Sequence, residues 1–145
     1  MEEQISQFIV FKLGQEEYGV NILKVQEIVR PLKTTKLPQS PDYVVGIVNL
    51  REEIMPIIDL KRFLNLGSLE ETEETRIIVM KQNEQVLGIL VDEVWEVLRI
   101  SKKKIKKSDA FEHKLKNEFI SGIAKVKGRL IILLDLPSGK IRDGS

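Results

Sequence analysis

The sequence predicts an all-β fold, mainly β with short helices, built as two similar halves. Three observations predict it. Short apolar runs rich in β-branched residues recur at close spacing with turn residues between them, the pattern of barrels and sandwiches. Helix-period segments are few and short. The chain also repeats itself: displaced by 69 residues, Phe8–Arg30 falls on Ile77–Arg99 without a gap, with seven of 23 positions identical. A second block, Gly46, Ile47, Asp59 and Leu60, falls on Gly122, Ile123, Asp135 and Leu136 at a displacement of 76. Internal repeats of this kind set the architecture before any single element does.

The strands follow in chain order. Phe8–Phe11 is aromatic and β-branched and stops near Gly14; Val20–Arg30 continues the theme. Gly46–Leu50, Ile54–Ile58, Ile77–Met80, Val86–Val91, Val94–Ile100, Ile123–Val126 and Leu130–Leu134 complete the set. Gly19 and Gly88 stand mid-strand, where a missing side chain permits a bend or a close backbone approach. Three helical stretches are expected. Ser40-Pro41 opens one turn over Pro41–Val45, and Asp59 opens two turns that stop at Gly67. Ser108-Asp109 caps a stretch that places Phe111, Leu115 and Phe119 on one face, although an ordered loop could bury the same three residues.

The expected architecture is a tandem pair of five-stranded units packed as one body, because units of this size are individually marginal. The units span approximately 15–68 and 84–136, with strands at 5–13 and 75–83 available to cross between them. Glu70-Glu71-Thr72-Glu73-Glu74 is expected to be the solvated connector between the units.

Composition narrows function. The 145 residues carry 23 Lys and Arg against 22 Asp and Glu, so no bulk charge points to nucleic acid or an anionic membrane. With no Cys there is no disulfide framework, Cys-ligated metal or thiol nucleophile. His113 is the only His and is read as a loop residue. The longest apolar runs are about five residues, against roughly 20 for a membrane span. A soluble protein without cofactor or metal is expected; the lack of Cys fits a cytoplasmic protein, although a cysteine-free chain folds equally well outside the cell.

Candidate catalytic groups reduce to plain structural ones. Asp59 and Asp135 are repeat-equivalent strand ends, suited to capping the following turn. No Gly-x-Ser-x-Gly elbow or phosphate loop occurs. The basic run Lys102-Lys103-Lys104-Ile105-Lys106-Lys107 admits a nucleic-acid reading for a small barrel, but no aromatic platform is interleaved with it. A solvated face, or a contact for an acidic protein surface, fits the run better. Glu27 reads either as a solvent-facing strand residue or as a charge within a recognition patch. Arg51 reads either as a hairpin residue or as an interface anchor.

Glu17-Tyr18-Gly19-Val20 with Val25-Gln26-Glu27-Ile28, and Leu37-Pro38 with Pro41–Arg51 and Ile54–Leu60, resemble a CheW-type chemotaxis coupling protein. Gly88–Val94 with Val97-Leu98 is similar in the second half. The likeness runs from about Phe8 to Leu136. It implies two SH3-like barrels forming one CheW-like domain over 1–145. It also implies no catalysis, and an adaptor role between chemoreceptor tips and the regulatory domain of the histidine kinase CheA, at membrane-associated receptor arrays. The chain length suits the stand-alone adaptor rather than a fusion. Position by position, the resemblance assigns partner contact to Val25, Glu27 and Ile28, to Gly46, Asn49, Leu50 and Arg51, and to Val94 and Val97. Two departures stand out. Glu52 follows Asn49-Leu50-Arg51 where the family usually has Gly, so a different turn or a strained one is expected there. The tail after Leu136 is short and polar, which implies little or no terminal helix.

Overall fold

Strand order shows how the two repeats share their strands. The computed structural model describes residues 4–107 and 119–136. In chain order the strands are β1 (Ile5–Leu13), β2 (Glu16–Asn21), β3 (Val25–Val29), β4 (Val44–Leu50), β5 (Glu53–Asp59), β6 (Arg76–Gln82), β7 (Gln85–Val91), β8 (Glu93–Ser101), β9 (Ile105–Lys107), β10 (Ile120–Val126) and β11 (Arg129–Leu134). One α-helical turn, α1 (Leu60–Phe63), follows β5, and 3₁₀ turns cover Ile22–Lys24 and Lys102–Lys104.

Two sheets result, ordered β8-β1-β2-β11-β10-β9 and β3-β6-β7-β5-β4. The exchange between repeats is reciprocal. The β1–β2 hairpin of the first repeat joins β8–β11 of the second through the parallel β2–β11 ladder. The β6–β7 hairpin of the second repeat joins β3–β5 of the first through the parallel β7–β5 ladder. The chain accordingly divides into one unit of Met1–Leu23 with Val94–Leu136 and another spanning Lys24–Glu93. This division differs from the expected windows 15–68 and 84–136, since β2 and β7 pair across the repeats as well as β1 and β6. The acidic stretch 70–74 is exposed as expected, but it connects α1 to β6 inside the second unit and does not join the two units.

Each unit has its own core. In the first unit Phe8, Val10, Ile100, Ala124, Ile131 and Leu133 cluster, with Leu98, Ile105 and Val126 against them. In the second, Val48, Met55, Ile57, Ile77, Val79 and Val86 cluster, with Val29, Val45, Leu50 and Leu90 against them. Seven pairs of these positions are repeat equivalents: Phe8 and Ile77, Val10 and Val79, Val29 and Leu98, Val48 and Ala124, Leu50 and Val126, Met55 and Ile131, Ile57 and Leu133. Strands from both ends of each sheet order reach the same core, so each sheet curls toward closure. Gly19 and Gly88 permit the curl. A Cβ on Gly88 would sit 2.6 Å from Ile57 Cδ1, and one on Gly19 3.1 Å from Leu133 Cδ2.

Two helical expectations and one strand expectation change; of the two turns expected after Asp59, only α1 (Leu60–Phe63) forms. Pro41–Val45 is a turn closed by Val44 N–H donating to the Pro41 carbonyl at 3.0 Å, and β4 starts at Val44, where ladder pairing to Ile58 wins over the short helix. The long apolar stretch Val20–Arg30 is broken by the 3₁₀ turn at Ile22–Lys24, where the chain leaves one sheet for the other. Asp59 caps α1 as expected: its carboxylate accepts from Arg62 N–H at 3.3 Å and from Leu69 N–H at 3.0 Å. Those two contacts give Asp59 the structural capping role expected of it. The expected helix at Ser108–Phe119 and the residue His113 lie outside the described residues, apart from Phe119. Phe119 accepts from Asp135 N–H at 2.8 Å, as Tyr43 does from Asp59 N–H in the other repeat.

Candidate protein-contact site

β3 sets the first half of the site. Burial alternates along it: Val25, Glu27 and Val29 are half-covered, while Gln26 and Ile28 are exposed. Glu27 therefore does not face solvent by alternation. Its side chain keeps only 17% exposure, whereas Ile28 stands outside. A buried carboxylate is costly unless paired. Its partner is Arg51, whose guanidinium hydrogen-bonds Glu27 from the β4–β5 turn while remaining 71% exposed.

The turn itself is a two-residue hairpin between the paired residues Leu50 and Glu53. Arg51 has φ 51° and Glu52 has φ 67°, the signature of a type I′ turn. The equivalent β10–β11 turn has the same form, with φ 49° at Lys127 and 80° at Gly128. Glu52 thus keeps the turn type of the Gly-bearing hairpin and carries the left-handed strain in its own backbone.

The remaining expected contact residues divide by burial. Asn49 is exposed beside the turn, and Leu50 packs onto the second unit's core. Gly46 is buried; a Cβ there would lie 2.6 Å from the Thr35 carbonyl oxygen. Thr35 and Ile47 exchange hydrogen bonds of 2.9 and 2.8 Å at this crossing, so Gly46 shapes the strand rather than meeting solvent. Val94, half-buried, and Val97, 48% exposed, lie on β8 in the first unit.

A cluster not anticipated from the sequence lies on the first unit. Arg129 Nε is 3.1 Å from Glu17 Oε1, and Arg129 Nη2 is 3.0 Å from Glu96 Oε2. Donating to Glu17, reinforced by Glu96, raises the pKa of the Arg129 guanidinium above its usual range. Trp95, 44% exposed, carries Lys12 Nζ at 5.1 Å and the Arg129 guanidinium at 5.8 Å from its ring centre. The repeat held the signal for it. Glu96 is the equivalent of Glu27, and each accepts a hairpin-end arginine.

The arrangement is a set of charged clamps on exposed β surface. Among the described residues, no group of three or more His, Asp or Glu side chains is placed to hold a metal ion. No described helix is long and apolar enough to cross a membrane. Such a molecule is a protein-contact module by class: paired charges fix the shape of a hairpin and leave aliphatic side chains in the open.

Comparison with known proteins names the class. The CheW-like domain profile matches residues 7–138. A chemotaxis protein CheW of Klebsiella aerogenes is 38% identical over 130 residues, covering 90% of this chain and 78% of that one. One from Helicobacter pylori is 36% identical over 134 residues, covering 91% and 79%. The crystal structure of a CheW scaffolding protein from Thermoanaerobacter tengcongensis superposes with a TM-score of 0.84 at 34% identity, covering 92% and 90%. The chain belongs to the CheW-like family. It is a chemotaxis adaptor coupling chemoreceptors to the kinase CheA, and the comparisons give the nucleic-acid reading no support.

Proposed function

We propose that this chain couples through the Arg51 hairpin, without catalysis, binding the CheA regulatory domain and the cytoplasmic tip of a chemoreceptor at membrane-associated arrays. One observation carries the assignment: the half-buried Glu27 carboxylate clamps Arg51 at a hairpin tip, beside exposed Asn49 and with Ile28 open on β3. Holding an arginine in one geometry before binding reduces the ordering cost on association, and arginine is a preferred interface anchor. Ile28 supplies apolar contact area. Val25, Gly46 and Leu50 act by holding the strands in shape. Val97, exposed on β8, and the half-buried Val94 supply a second apolar contact on the first unit.

The experiment is an amide NMR titration of the labelled chain with each partner, repeated with charge variants. Arg51→Ala is expected to weaken binding by at least about tenfold, since hot-spot truncations typically cost 2 kcal/mol or more. Its fold is expected to persist at a cost of about 1–3 kcal/mol, since the largely covered Glu27 carboxylate loses its partner while both cores stay intact. The exchanged pair, Glu27→Arg with Arg51→Glu, is expected to keep the clamp and still lose the partner. Wild-type affinity for both partners in Arg51→Ala would remove this hairpin from the interface.

A further inference from the structure

The basic run has a role that the Arg51 hairpin does not absorb. Within it Ile105 points inward to the first unit's core, as do Ala124, Ile131 and Leu133 on the neighbouring strands. Alternation then places Lys104, Lys106, Ile123, Lys125 and Leu130 together on the opposite, outer face. The register agrees: Lys106 pairs with Ile123, and Lys125 with Leu130. These residues and Lys103 line a depression of about 420 Å³. Its floor is aliphatic, with Leu130 62% exposed, and its rim is four exposed lysines. Among the described residues none of the four meets a carboxylate.

We infer that this lysine-rimmed depression on the β9–β10–β11 face docks an acidic segment of a partner protein that presents an aliphatic side chain between carboxylates. Charge complementarity decides the sign of the partner: four ammonium groups within a patch this small favour carboxylates or phosphates. The floor decides between them. Ile123 and Leu130 reward an apolar anchor, which a phosphate backbone lacks, and among the described residues no aromatic ring lines the depression to stack a base. An apolar anchor within a charged rim is the usual anatomy of a peptide-binding groove. The surface belongs to the first unit and the Arg51 hairpin to the second, so it adds a contact to the proposed function rather than restating it.

The test uses the full chain, isotope-labelled, and a synthetic peptide with a central Leu flanked on both sides by Glu. Controls are the same peptide with Ser for Leu, a single-stranded oligonucleotide, and phosphatidylserine-containing vesicles. Shifts confined to Lys103–Lys106, Ile123–Lys125 and Leu130 support the site. The double variant Lys104→Glu with Lys125→Glu is expected to lose at least about tenfold in affinity with an unchanged circular dichroism spectrum. Leu130→Ser, which leaves the rim intact, is expected to lose about threefold or more. Equal binding of the Ser peptide overturns the proposal, as does wild-type affinity in both variants. Tighter binding of the oligonucleotide or vesicles also overturns it, assigning the surface to phosphate. Self-association of the chain that the peptide competes away would overturn it too, because the occupant would be a second copy.

Discussion

At the scale of single residues, the balance between backbone strain and side-chain chemistry is sharpest at Glu52. A non-glycine residue in the left-handed region costs about 1–2 kcal/mol, part of which glycine loses again to unfolded-state entropy. Glu52→Gly is therefore expected to stabilise the chain by about 0.5–1 kcal/mol, a rise of roughly 2–4 °C in Tm by calorimetry. An unchanged or lower Tm would mean that the strain is relieved elsewhere. Tyr18 offers a second reading at this scale. Burial, aided by the nearby Glu16 charge, raises its phenol above the ordinary value of about 10. A raised acid pKa in the folded state contributes stability that is full below about pH 10 and is lost as pH rises through the folded value. Alkaline unfolding is thus expected to begin above pH 10 and to move upward in Tyr18→Phe, as a fluorescence-monitored pH titration would reveal.

At the scale of elements, the parallel β7–β5 ladder depends on a residue without a side chain. A Cβ at Gly88 would lie 2.6 Å from Ile57 Cδ1 and 2.9 Å from Ile77 Cγ2, both fully buried. The equivalent site in the β2–β11 ladder is looser, with 3.1 Å from Gly19 to Leu133 Cδ2. Gly88→Ala is expected to cost about 1–3 kcal/mol by overpacking, and Gly19→Ala less; urea denaturation of the two variants orders them. Asp59 governs the next element. Asp59→Ala removes the cap on α1 and the acceptor for Leu69 N–H, at an expected cost of about 1–2 kcal/mol. The strands were legible from the sequence because β-branched runs and turn residues are local signals. β9 was not. It is three residues long, Ile105–Lys107, and two of them are lysines, so only its ladder to β10 defines it.

At the scale of the whole molecule, the reciprocal hairpin exchange makes the two repeats interdependent. Neither repeat contains a complete sheet: β1–β2 needs β8 and β11, and β3 and β5 need β6 and β7. A fragment ending before β6, residues 1–68, is expected to be unfolded or to associate into dimers that restore the exchange between copies. Analytical ultracentrifugation with circular dichroism decides it; a folded monomeric fragment would show that strands re-pair within one repeat.

The candidate site was partly legible on the same terms. Arg51 and Glu27 were visible as residues of a recognisable segment. Their pairing was not, because they are 24 residues apart and meet only when the sheet curls. The Arg129–Glu17–Glu96 clamp spans 112 residues between Arg129 and Glu17 and rests on strands from both repeats. By itself the sequence determined the strands, the duplication, the capping role of Asp59 and the family, since all are written in local patterns and their spacing. Only the tertiary structure decided which hairpin pairs with which repeat, that Glu27 is covered while Ile28 is open, and that four lysines ring an aliphatic floor. Those outcomes depend on ladders between distant segments, whose energy comes from burying shared cores rather than from any local preference.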